Sequence, residues 1–66
     1  MKIYELKIYT KFSTEPYTLI YANRLSAEQK LNSARDMANF QEATLETLSN
    51  GGDDTKPFYT EDFEEF

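Results

Sequence analysis

Residues 2 to 12 alternate between two kinds of position. Tyr4, Leu6, Ile8 and Phe12 share one parity, with Thr10 as the polar exception, while Glu5, Lys7 and Lys11 share the other with Ile3 and Tyr9. Period two in a run rich in β-branched and aromatic residues predicts a strand. Ser13-Thr14-Glu15-Pro16 interrupts it with turn formers, and Pro16 has no N–H to give to a ladder. Tyr17 to Ala22 predicts a second strand. A four-residue loop opposes Phe12 to Tyr17, Thr10 to Leu19 and Ile8 to Tyr21. In that register the two apolar faces coincide, as a hairpin with one buried side requires.

The period then changes. Ser26-Ala27-Glu28-Gln29 has the form of a capping box, in which the serine accepts from the third helical N–H and the glutamine reaches back to the cap. Ala27, Leu31, Ala34, Ala38, Leu45 and Leu48 recur at three- and four-residue steps, with Gln41 at the one missing position and Met37 and Phe40 widening the stripe. This spacing predicts an amphipathic helix of about 22 residues, roughly 33 Å long. Asn50-Gly51-Gly52 would end it, because Asn and Gly accept the left-handed conformation past a helix terminus. Asn39 with Glu42 forms a second capping box, which leaves open a break near Asn39. The stripe is rich in alanine and spans about three heptads, so packing against the hairpin is favoured over a coiled-coil seam.

The predicted fold class is therefore α+β: a small antiparallel β-hairpin packed by one long amphipathic helix over residues 1–52, followed by an acidic, aromatic segment over 53–66. Within that segment Phe58-Tyr59-Thr60 can add a third strand, or Thr60 can cap one helical turn carrying Phe63 and Phe66. The open face of the hairpin, with Ile3, Tyr9 and Ile20, invites self-association or a partner.

Charge sharpens this division. The chain carries a formal charge of −5, and acids and bases cancel over residues 1–52. Asp53, Asp54, Glu61, Asp62, Glu64 and Glu65 face Lys56 alone, so the last fourteen positions hold all of the net charge. Sixty-six residues allow one domain, which buries only about 60% of the surface of its unfolded chain. There is no Cys and no His, which removes disulfides, thiolate metal sites and the commonest general base. No apolar run approaches the about 20 residues of a membrane span, and Glu5 comes too early for a signal peptide. A cytoplasmic protein is expected.

Few groups suggest chemistry. A carboxylate becomes a useful general acid only in a suitably buried or like-charged setting, for which a chain this small offers little interior, and the regular calcium-loop spacing is absent. No enzyme activity, metal or cofactor is expected. Lys7, Lys11 and Tyr9 make a small basic patch, but the acidic end opposes direct binding to nucleic acid. The patch reads as protection of a strand edge by lysines, or as a seat for the chain's own acidic end.

Carboxylates interleaved with rings suit a basic partner that also offers an apolar pocket: the acids speed association and the rings anchor. The expected partner-binding residues are Asp53, Asp54, Glu61, Asp62, Phe63, Glu64, Glu65 and Phe66. The stretch Thr60-Glu61-Asp62-Phe63-Glu64-Glu65-Phe66 resembles the acidic, Phe-ending C-terminal tip of single-stranded-DNA-binding proteins, without the proline that precedes the phenylalanine in the bacterial form. That resemblance implies recruitment of replication and repair enzymes through Phe66, Asp62, Glu64 and Glu65. In size, acidity and lack of catalytic groups the chain is also similar to the phage and mobile-element proteins that block DNA-handling enzymes, such as anti-CRISPR and anti-restriction proteins. This similarity implies inhibition by nucleic-acid mimicry, in the bacterial host cytoplasm if the chain is phage-encoded. The alternative is a structural or adaptor module that homodimerises, its acidic end serving solubility or recruitment.

Overall fold

A computed structural model describes all residues from Met1 to Phe66. The elements in order are β1 (Lys2–Thr10), β2 (Tyr17–Tyr21), α1 (Arg24–Arg35), β3 (Phe40–Ser49) and β4 (Tyr59–Glu65). The four strands form one antiparallel sheet in the order β2-β1-β3-β4. α1 crosses over β1 on one face and carries the chain from one side of it to the other, while the opposite face stays uncovered.

The fold expected from the sequence is wrong beyond Arg35. No long helix covers a hairpin; α1 has twelve residues, and Phe40–Ser49 is a strand. Asn23 rather than Ser26 caps the helix: its backbone is extended, and its Oδ1 accepts from the Ser26 N–H at 2.8 Å. At the other end Met37 N–H donates to Ala34 O and Phe40 N–H to Met37 O, which turns the chain back. The break foreseen near Asn39 exists, but the chain leaves it extended.

The reason lies in which residues the third strand buries. Ala43, Leu45, Thr47 and Ser49 alternate inward, and two of these four are hydroxyl side chains. Their alternation is silent in an apolar-versus-polar reading, whereas Leu45 and Leu48 happen to continue the helical stripe. The deciding interaction is not local. β1 pairs along its whole length with β3, from Lys2 opposite Ser49 to Thr10 opposite Phe40, with a bulge between Tyr9 and Thr10. As a helix, residues 40–49 would leave the β3 side of β1 without hydrogen-bond partners, and tertiary pairing overrides a weak local preference.

The β1–β2 hairpin forms with a different register. Ile8, not Phe12, opposes Tyr17; Leu6 opposes Leu19 and Tyr4 opposes Tyr21. The shift is four residues, an even number, so Tyr4, Leu6 and Ile8 still share a face with Tyr17, Leu19 and Tyr21, while Phe12 drops out of the strand. The connection is longer than expected because Lys11 N–H bonds to Asn39 O at 2.9 Å and the Ser13 hydroxyl forms a local turn with Glu15. Phe12 is left at the turn, 88% exposed.

The core lies between α1 and the central strands: Leu6 and Ile8 from β1, Ala43 and Leu45 from β3, and Ala27, Leu31 and Ala34 from α1. Tyr4, Leu19, Tyr21 and Phe40 pack around it, half-buried. Three of the seven core residues are alanines, so the helix sits close to the sheet and the core stays small. Gly51 and Gly52, both at positive φ, close the turn from β3 toward β4, where a side chain would be strained.

Candidate functional site: the acidic half of the sheet

The segment over 53–66 belongs to the sheet. β4 pairs antiparallel with β3, and Phe66 and Ala43 exchange two backbone hydrogen bonds at 2.8 and 3.0 Å. Of the two alternatives left open for these residues a strand forms, but over Tyr59–Glu65 rather than Phe58–Thr60, and as the fourth strand of the sheet rather than a third. It is seven residues long and lies at the edge of the sheet.

Strand geometry then separates the eight residues expected to bind a partner. Asp53 and Asp54 lie in the β3–β4 turn and serve it. Asp53 accepts from the Thr55 hydroxyl at 2.6 Å and from the Thr55 N–H at 3.0 Å, bonds that hold its carboxyl below the ordinary aspartate range. Asp54 accepts from the Asn50 side chain. Along β4 the side chains alternate between faces, so Asp62, Glu64 and Phe66 lie on the helix side and Phe63 and Glu65 on the uncovered side. Glu61 occupies the bulge between Asp62 and Thr60.

The helix side of β4 is tied down by cations. Lys2 donates to Glu61 at 2.8 Å, and this hydrogen bond to the carboxylate raises the lysine pKa above its usual value. Arg24 binds Glu64 and Glu28, each at 2.6 Å, and its pKa is raised by both, the Glu64 bond first. The Arg35 guanidinium stands 5.0 Å above the centre of the Phe66 ring, within cation–π range. The backbone of α1 stays clear of β4, so Arg24 and Arg35 of α1 with Glu64 of β4 and the Phe66 that follows it bridge a cleft of about 190 Å³ between the two elements. Thr60–Phe66, the stretch similar to a single-stranded-DNA-binding tip, is thus a paired strand with its last ring held against an arginine.

The uncovered face gathers a different set. Register places Ile3, Glu5, Lys7 and Tyr9 of β1 beside Thr18 and Ile20 of β2 on one side, and beside Glu42, Thr44, Glu46 and Leu48 of β3 on the other; Phe63 and Glu65 of β4 complete the row. Four carboxylates, Glu5, Glu42, Glu46 and Glu65, share this face with one cation, Lys7, which sits 3.7 Å from Glu5. Glu5 stands directly opposite Glu46, and like charges in that position oppose each other. Glu46 also accepts a hydrogen bond from the Thr60 hydroxyl. Phe63, half exposed, lies next to Glu46 in the ladder.

Glu5, Glu42 and Glu46 escaped the sequence reading because, summed along the chain, they are balanced by bases. The signal that would have found them is the two-residue alternation of Glu42, Thr44, Glu46 and Leu48, once residues 40–49 are read as a strand. No group of three or more acidic side chains is arranged to hold a metal ion, and no helix is long and apolar enough to cross a membrane. No protein-family model, curated protein or solved structure matches the chain, so the reading of this face rests on its own geometry.

Proposed function

We propose that this chain is a non-catalytic acidic binding protein whose uncovered sheet face occupies a basic, nucleic-acid-binding surface of another protein and so inhibits it. The carboxylates of Glu5, Glu42, Glu46 and Glu65 stand in for phosphates, and Phe63 and Leu48 supply apolar contact between them. Asp62 on the helix side of the same edge, which has no hydrogen-bond or ion-pair partner, extends the negative field. The compartment proposed is the cytoplasm, where such enzymes work, and a phage or mobile-element anti-defence role is the setting that fits best.

The observation that carries this reading is the apposition of Glu5 and Glu46 across neighbouring strands. Two like charges held face to face cost stability, and a cation from a partner placed between them relieves that repulsion. Lys7 touches only one of the two. The electrostatic field of the face also predicts fast association that weakens with added salt.

The test uses conservative neutral substitutions that leave β4 in place. Proteins retained by the immobilised chain from a native lysate are assayed for nucleic-acid binding with and without the free chain. The wild-type chain should displace labelled nucleic acid from its target, and Glu42→Gln/Glu46→Gln/Glu65→Gln should weaken this on the order of tenfold or more. Equal displacement by the triple variant, or targets whose nucleic-acid binding is untouched, would sink the proposal.

A further inference from the structure

The two edges of the sheet are built differently. β4 carries Glu61, Asp62, Glu64 and Glu65 and a bulge, the devices that prevent an edge from pairing with another strand. β2 has none of them. Tyr17-Thr18-Leu19-Ile20-Tyr21 contains no charge, no proline and no bulge, and four of its five residues are β-branched or aromatic types that favour extended structure. Its outer backbone groups have no partner in the sheet, and Tyr17 and Ile20 are 61% and 54% exposed.

We infer that β2 is the dimerisation edge, and that its occupant is β2 of a second copy of this chain, antiparallel across a two-fold axis at Leu19. The sequence is self-complementary in this register. Tyr17 meets the second copy's Tyr21, Leu19 meets its counterpart, and Thr18 meets the second copy's Ile20. Tyr17, Leu19 and Tyr21 all point to the helix side, so the pairing joins apolar to apolar and continues both sheets face for face. Pairing of β2 with a second copy's β4 would instead set Asp62 and Glu64 beside these apolar side chains, and pairing of β4 with itself would bring eight carboxylates together.

A second feature points to the same edge. An apolar cleft of about 250 Å³ opens between the end of α1 and β2, lined by Ile8, Tyr17, Leu19, Ala34 and Met37, with Lys30 at its rim. The two-fold sets the second copy's Tyr21 next to Tyr17, at the mouth of this cleft. The monomer also hides little of itself. Its radius of gyration is 12.9 Å, against about 10.8 Å for a compact chain of this length. Its accessible surface is 4557 Å², above the about 4,300 Å² expected for its mass. Association is a recognised remedy for so small a core.

Sedimentation equilibrium of the full chain across a wide concentration range should give a reversible dimer at twice 7.7 kDa. Thr18→Lys/Ile20→Lys, both on the exposed side, places lysines opposite each other at two pairs and should raise the dimer dissociation constant by about tenfold or more. Thr18→Glu/Ile20→Glu should do the same, and mixing the two variants should restore a mixed dimer. Hydrogen exchange on the unaltered chain is the independent readout, with amide protection across Tyr17–Tyr21 rising with concentration. A wild-type chain that stays monomeric, variants that dimerise like wild type, or folded variants that fail to pair on mixing would each overturn the inference.

Discussion

Single side chains decide whether the β3–β4 turn and the last strand hold their places. Asp53 has an exact local task, accepting two hydrogen bonds from Thr55 that favour its charged form. Its pKa is depressed in the folded state, so the contribution is present above the unfolded aspartate value and is lost as pH falls through the lowered folded one. Asp53→Ala should therefore flatten the acid side of the stability curve and leave the neutral-to-alkaline side parallel to wild type, as followed by urea denaturation at stepped pH. Asp53 is expected from its charge to meet a partner, yet the bonds it makes are local ones within the turn. Glu46 is the converse, unremarkable in the composition and central once its strand neighbours are known. Charge is legible residue by residue; what faces that charge is not.

At the scale of elements, the parts that could be read locally were those whose chemistry is local. The first two strands, their shared apolar face and a helix around Ala27–Ala34 follow from alternation, turn formers and helical spacing within a few residues. The cap shows how fine the margin is. Ser26 and Asn23 are both good capping residues three positions apart, and Asn23 wins, adding nearly a full turn to the start of α1. Asn23→Ala should lower stability by about 1 kcal/mol in chemical denaturation, within the usual cost of losing such a cap; no loss would mean that Ser26 takes over. β3 is hidden because Thr47 and Ser49 are buried in place of large apolar groups and because its pairing partner, β1, lies 30 to 47 residues earlier in the chain. For β4 the sequence suggests a strand only over Phe58–Thr60, and the longer strand to Glu65 depends on β3 being there to receive it.

The whole molecule is a thin plate, 41 by 23 by 15 Å, with a helix on one side and bare sheet on the other. That shape redistributes the charge that the sequence concentrates at one end. Part of the terminal acidity is absorbed by Lys2 and Arg24, and the uncovered side gains carboxylates from three other positions in the chain. Of the four carboxylates on that side only Glu65 belongs to the segment whose acidity shows in the sequence; Glu5, Glu42 and Glu46 join it only through the strand register.

The unlike margins of the plate have a consequence for the fate of the protein in bulk. A ribbon that lengthens by adding plates side by side must eventually use the carboxylate-lined margin, and mutual repulsion stops growth there while the net charge is −5. Acidification toward the isoelectric point near 4.5 removes that brake. Thioflavin fluorescence and light scattering should then rise together, and strong salt at neutral pH should reproduce the effect in part by screening.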